Sequence, residues 1–234
     1  MGAIFRRELN AFFTSAVAYI FLGVFYLMSG FFFVSSSIAG KTAELSSAFS
    51  SVFLVLIFLI PLMTMKLFSE EKRQRTEQGL LTAPIGIPSI VLGKYFATLV
   101  LYTIGISIFL IYALILEFFG SVDWTMVLAN FVALWFLGAA FIAVTLFISS
   151  LTENQIIAAI VGFISLMVLY LIDSIATMIP VEFISKILTN LSFYSKYNEF
   201  VGGLFNLSSV LFYLSTAVLF NFFTARVFEK RRWS

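Results

Sequence analysis

Six stretches of this chain contain no Asp, Glu, Lys or Arg: residues 9–40, 45–65, 95–116, 124–152, 154–172 and 200–225. A hydrocarbon core about 30 Å thick is crossed by about 20 helical residues rising 1.5 Å each, so every one of these runs can span. Backbone N–H and C=O groups inside lipid must be satisfied within the segment, so each run is expected as a helix. The fold class read from the sequence is therefore an all-α integral membrane protein with six transmembrane helices in a single domain, 1–234. Hydrophobic residues make up 61% of the chain and charged residues 11%. Soluble domains average about 45–50% and about 25%, so this chain lacks the polar surface a water-soluble fold needs. The first apolar run exceeds the about 7–15 residues of a signal-peptide core and is read as a retained helix.

The charges between the runs orient the chain. With the N-terminus inside, the inner segments carry Arg6, Arg7, Lys66, Lys72, Arg73, Arg75, Lys94, Arg226, Lys230, Arg231 and Arg232, which is 11 of the 14 basic residues. The outer segments carry Lys41, Lys186 and Lys196. The positive-inside rule then predicts both termini in the cytoplasm, as an even number of spans requires.

Three connecting segments carry further structure. In residues 1–13, Phe5, Leu9, Phe12 and Phe13 recur at helical spacing with Arg6, Arg7 and Asn10 on other faces, which predicts an interfacial helix. The plainer reading is a basic anchor for the first span.

Residues 66–94 form the longest inner connection. Ser69 can cap a helix, Glu70 and Glu71 suit its first turn, and Glu71–Arg75 is a favourable i,i+4 pair. Gly79 weakens that helix, and Pro84 and Pro88 argue against its continuation, so a short helix over 69–81 is expected. Leu80, Leu81, Ile85 and Ile87 are apolar residues that face either the bilayer or a partner. Residues 173–206, beginning near Pro180, place Ile184, Ile187, Leu188 and Leu191 on one helical face. Glu182, Ser185, Lys186, Thr189 and Asn190 lie on the others. Glu182, Lys186, Lys196 and Glu199 are too costly at bilayer depth without partners, so this is an outer amphipathic helix or a re-entrant hairpin.

The chemistry is sparse. The chain has no Cys and no His, which excludes disulfides, zinc or haem held by those residues, thiol catalysis and Ser-His-Asp triads. Glu44, Glu117, Asp123, Glu153, Asp173, Glu182 and Glu199 sit at span edges or in loops, and no charge lies mid-span. A self-powered ion-coupled transporter would be expected to place one there. The polar span residues Thr103, Ser107, Asn130, Thr145, Ser165, Ser215 and Thr216 read as helix–helix hydrogen bonders rather than a substrate site. Gly138, Ala139 and Ala140 permit close helix contact, and the 30 Phe suit packing and lipid contact. Gly93-Lys94 resembles the end of a phosphate loop, but Pro88 and Tyr95 break that pattern, so Lys94 reads as an interfacial anchor. No catalytic, metal or cofactor residue is assigned, and the net charge of +2 gives no nucleic-acid signal. An enzyme is not expected.

The layout resembles the ATP-binding-cassette type-2 permease family. The opening "IFRREL", the stretch "FSEEKRQRTEQGLLTAPIGIPSIVLGKYFA" at 68–97 and the end "NEFVGGLFNLSSVLFYLSTAVLFNFFTARVFEKRRW" at 198–233 carry the likeness. They are similar to the gliding-motility-associated branch and to nitrous-oxide-reductase accessory permeases. The resemblance implies the permease subunit of an ATP-driven exporter in a prokaryotic plasma membrane. It implies ATP and Mg on a separate cytoplasmic ATPase, and a second permease copy or a related permease. An auxiliary extracytoplasmic membrane protein is a further implied partner.

It also implies that Glu70, Glu71, Lys72, Arg73, Arg75, Thr76 and Glu77 transmit the ATPase motion, with Leu80 and Leu81 at the joint. The outer segment would close the exit. From the residues alone, 66–94 reads equally as a docking element or a solvated loop. A different role, a non-transporting scaffold that passes ATPase motion to an extracytoplasmic partner, is the alternative.

Overall fold

The apolar runs become helices, and the breaks fall where backbone or charge demands them. The computed structural model describes residues 1–42, 44–82, 85–178, 181–203 and 206–232, without the side chains of Leu80, Leu81, Thr82, Glu182 and Ile184. Among the described residues it is all helical. The elements are α1 (Gly2–Thr14), α2 (Ala16–Phe33) with a π-turn (Val34–Ile38), α3 (Ser46–Thr64), α4 (Lys66–Arg73), α5 (Glu77–Thr82), α6 (Ile87–Ile106) and α7 (Ile108–Glu117). They continue with α8 (Trp124–Leu151), α9 (Gln155–Met178), α10 (Glu182–Leu191), α11 (Phe193–Val201) and α12 (Leu207–Arg232). Six continuous helices are long and apolar enough to cross a membrane: Ala16–Ile38, Ser46–Arg73, Ile87–Glu117, Trp124–Leu151, Gln155–Met178 and Leu207–Arg232.

Several boundaries move. The run 9–40 is cut at Ser15, whose extended backbone (φ −103°, ψ 157°) separates α1 from the first span. The helix expected over 69–81 is two helices, because α4 simply prolongs the second span and ends at Arg73. Ser69 is no cap. It is fully buried, its hydroxyl donates to the Met65 carbonyl, and its N–H reaches Ser149 Oγ at 3.3 Å. The third span begins at Ile87 rather than 95, so Lys94 lies about two turns inside a helix. The fifth extends through Asp173 to Met178, and the sixth starts at Leu207, leaving Phe200 in α11. Pro84 and Pro180 lie outside the described residues.

α8 is the hub. It packs against α3, α6, α9, α11 and α12, and a long stretch from Leu137 to Leu146 is almost wholly buried. Gly138 makes this possible, since a Cβ there would stand 2.1 Å from the Tyr102 ring. By contrast, the fifth span exposes Ile156, Ile160, Ile164 and Val168, the apolar surface a lipid-facing helix presents.

Helix–helix hydrogen bonding falls mostly to tyrosines rather than to the small polar residues. Tyr26 donates to Ile104 O, Tyr95 to Ala139 O and Tyr102 to Leu134 O. Tyr197 donates to Phe49 O, and Tyr213 to Phe193 O. Ser107, Thr145, Ser215 and Thr216 turn back on their own helices instead. Thr103 does bridge, accepting the Trp135 indole N–H at 2.9 Å. The phenylalanines pack: Phe53 alone touches the rings of Phe141, Tyr170, Tyr194 and Tyr197.

In the outer connection, α10 leaves Phe183, Ile187 and Leu191 exposed, whereas α11 buries Phe193, Tyr197 and Phe200 against the spans. Burial pushes the Tyr197 phenol well above its usual range.

Candidate functional site: a buried ion cluster beneath an exposed turn

Most of the charged residues gather at the end of the bundle that holds both termini. The site begins with α1. Its buried line is Ile4, Glu8 and Phe12, at i, i+4 and i+8, so of the expected face Phe5, Leu9, Phe12 and Phe13 only Phe12 is fully buried. Gly93 on α6 admits this face, because a Cβ there would lie 3.0 Å from Ile4 Cγ2. One residue on, Lys94 meets Glu8. Close approach and charge pairing are thus set by adjacent residues of one helix.

Lys94 is 1% exposed. Its Nζ lies 3.1 Å from Glu8 Oε1 and 2.9 Å from Glu71 Oε1, and donates to Leu67 O at 2.8 Å. It also stands 5.2 Å from the centre of the Phe68 ring. Arg7 reaches the same oxygens: Nη2 lies 2.7 Å from Glu71 Oε1, and Nε donates to Glu8 Oε1 at 3.0 Å. Partial burial alone would lower the Arg7 guanidinium's affinity for its proton, but Glu8 and Glu71 outweigh that and raise it. A buried ammonium is tolerable only with such partners. The interfacial-anchor reading of Lys94 is thereby corrected: it is a structural tie among α1, α4 and α6.

Two further pairs fasten the same segment. Lys72 Nζ lies 3.2 Å from Glu153 at the α8–α9 turn. Arg231, near the end of α12, places Nη1 3.1 Å from Glu77 Oε1 and donates through Nη2 to Ser150 O. Phe228 packs on Phe68 with ring centres 4.6 Å apart. Ser149 Oγ accepts from the N–H groups of Phe68 and Ser69 and donates to Met65 O.

Between these ties the chain turns sharply. Arg75 has φ 57°, in the left-handed region, with Arg75 N–H bonded to Lys72 O and Thr76 N–H to Glu71 O. This is the Schellman ending of a helix, with arginine where glycine is usual. The turn therefore falls before Gly79, not at it.

The residues expected to couple to an ATPase divide in two. Glu71, Lys72 and Glu77 are engaged in internal ion pairs. Arg73, Arg75 and Thr76 are exposed, and Glu70 is half-buried, accepting from Gln74 Nε2 at 3.2 Å. The side chains of Leu80 and Leu81 lie outside the described residues. Glu8, in the Lys94 cluster, and Arg231, paired with Glu77, help hold this segment although neither was among the residues expected to couple. The signal for Glu8 was an acid on the line of Ile4 and Phe12, a face that packing would bury.

The profile of the ABC-2 family transporter proteins matches residues 6–169, well over half of the chain. No curated protein matches it. The matched stretch spans Arg7, Glu8, Glu71 and Lys94, so the ion cluster lies within it. With six membrane-crossing helices, this chain is a multi-pass membrane protein of the ABC-2 transporter family, fitted to act as a permease subunit.

Proposed function

We propose that the chain is the membrane subunit of an exporter driven by a separate cytoplasmic ATPase. The observation that carries this reading is the division within α4 and α5. The base of the segment is fastened by Glu71, Lys72 and Glu77, while Arg73, Arg75 and Thr76 stand exposed at a sharply defined turn. A lever needs a stiff root and an accessible tip. α4 continues the second span without a break, so force on the turn enters a membrane helix directly. Through Lys94 it also reaches the third span and α1.

ATP and Mg would sit on the partner, whose closure pushes the turn and shifts the permease between two packed states. Two permease chains, identical or related, would frame the path. The basic residues around the turn favour, by the positive-inside rule, a cytoplasmic side for this end of the bundle and both termini, and the family resemblance supports a prokaryotic plasma membrane. The motifs at 4–9, 68–97 and 198–233 resemble those of gliding-motility and nitrous-oxide-reductase accessory permeases, which supports an exporter-type permease. A scaffold role with an extracytoplasmic partner is the second reading. Phe118 and Phe119, 89% and 83% exposed between the third and fourth spans, are the apolar pair available to such a partner.

The test is charge reversal at the tip. The double substitution Arg73→Glu, Arg75→Glu should abolish permease-stimulated ATP hydrolysis in the reconstituted complex while the permease stays folded. Unchanged stimulation would sink the assignment. A large extracytoplasmic protein co-purifying with the complex, with no substrate-stimulated hydrolysis, would favour the scaffold.

A further inference from the structure

A cavity of about 490 Å³ opens beside the ion cluster, between α1 and the junction of α3 with α4. Its volume lies within the about 300–1,000 Å³ typical of small-molecule sites. Its wall has two chemistries. Phe12, Val17 and Met63 form an apolar side, at the start of α2 and the end of α3. Arg7, Lys66, Glu70 and Glu71, with the neutral amide of Gln74, form a charged and polar side. The cavity thus straddles the level at which apolar spans give way to charge, the depth of lipid headgroups.

Two of its charged groups are incompletely used. Glu71 Oε1 receives both Lys94 and Arg7, but Glu71 Oε2 is buried with no hydrogen-bond donor. A buried anionic oxygen left without a donor is costly. The Glu71 side chain is 17% exposed, and the terminal torsion of Glu is broad, so Oε2 can turn toward an incoming donor. Lys66, half-buried at the cavity rim, has no ion pair among the described residues.

We propose that this cavity is a headgroup site for a phospholipid bearing a primary amine, phosphatidylethanolamine in its chemistry. Its ammonium supplies N–H donors to Glu71 Oε2 and Glu70. Its phosphate pairs with Lys66. Its acyl chains leave along the apolar side, past exposed Leu62 and Ile20 on the two flanking spans. A choline headgroup has the same charges and no N–H donor, and a glycerol headgroup has the phosphate and no cation. The arrangement therefore discriminates by hydrogen-bond donation and not by charge alone. The proposal stands independently of whether the chain transports anything.

The test offers the full-length protein in detergent equal amounts of dioleoyl phosphatidylethanolamine, its mono- and dimethyl derivatives, phosphatidylcholine and phosphatidylglycerol, with bound lipid read by native mass spectrometry. The expected result is a stepwise fall along the methylation series, reaching about tenfold between the first lipid and phosphatidylcholine, the size of one charge-assisted hydrogen bond. Phosphatidylglycerol should bind less than phosphatidylethanolamine. Glu71→Gln should flatten the series, and Lys66→Gln should weaken all members together. The methylation series needs no variant, so it stands even if Glu71→Gln fails to fold. Equal binding along the series, or phosphatidylglycerol binding as well as phosphatidylethanolamine, would overturn the proposal.

Discussion

Lys94 on α6 and Glu71 on α4 meet at 2.9 Å, with the lysine 1% exposed. Glu8 of α1 closes the group from the other side at 3.1 Å. Removing Lys94 leaves two carboxylates to share the half-exposed Arg7, and breaking a buried ion pair from one side costs about 3–5 kcal/mol. Lys94→Met should therefore lower the midpoint of thermal unfolding by about 6–20 °C. Neutralising the three most buried members, in Lys94→Met, Glu8→Gln, Glu71→Gln, should recover most of that loss, because the charge left unpaired is Arg7, which is 48% exposed and can be solvated. A triple variant as unstable as the single one would show that packing rather than charge holds the site.

The exposed tip should behave differently. Arg73→Glu with Arg75→Glu should change unfolding by about 0.5 kcal/mol or less, since neither side chain has an ion pair among the described residues. Arg75→Gly should stabilise the chain by about 0.5–1 kcal/mol, because glycine accepts φ 57° without the left-handed penalty. Under the proposed function, both variants should weaken capture of the partner ATPase in a pull-down. A more stable permease that binds this proposed partner less well would separate the tip's role from folding.

Arg231 should control how firmly α5 is held. Its guanidinium serves Glu77 Oε1 and Ser150 O together. Losing a charge-assisted hydrogen bond costs about 1.5–3 kcal/mol. In Arg231→Ala, amide hydrogen exchange across residues 77–82 should quicken by about tenfold or more, while exchange in α8 stays slow. Unaltered exchange in that segment would mean α5 is held by other contacts.

The contact between Gly138 and Tyr102 is a matched pair. A methyl group at 138 would overlap the ring at 2.1 Å, and the ring is held by its hydroxyl bond to Leu134 O. Gly138→Ala should cost at least about 1–3 kcal/mol, the range for overpacked cores. In a Tyr102→Ala background the same change should cost much less. Additive losses in that double-mutant cycle would count against the pairing.

Tyr197 ties α11 to the second span through Phe49 O at 2.9 Å. Tyr197→Phe should cost about 1 kcal/mol. Burial raises the folded-state pKa of this acid above its unfolded value of about 10, so its contribution is complete below pH 10 and fades as pH rises beyond that. Stability measured from pH 8 to 11 should decline less steeply in the phenylalanine variant.

Charge-free length and amphipathic spacing were readable without coordinates, because they depend only on residues close together in the chain. They sufficed for the number of spans and for a helix before the first of them, and the cut at Ser15 adjusts its edge. Local rules failed where a distant residue took over. Ser69 looks like a cap until Ser149 comes within 3.3 Å of its N–H. Lys94 looks like a snorkelling anchor because nothing near it in sequence shows that Glu8 will arrive. Conversely, the acid-rich start of 68–97 looks like one uniform docking surface, yet half of it is turned inward by partners on α1, α6 and α12.

By itself, then, the sequence determined a six-span helical membrane protein, since the bilayer demands long apolar runs whose backbones bond locally. Only the tertiary structure decided which charges are spent in holding α1, α4, α5 and α6 together and which remain at the tip. That division depends on helices far apart in the chain being packed side by side, and a buried ion is stable only where such packing delivers its counter-ion.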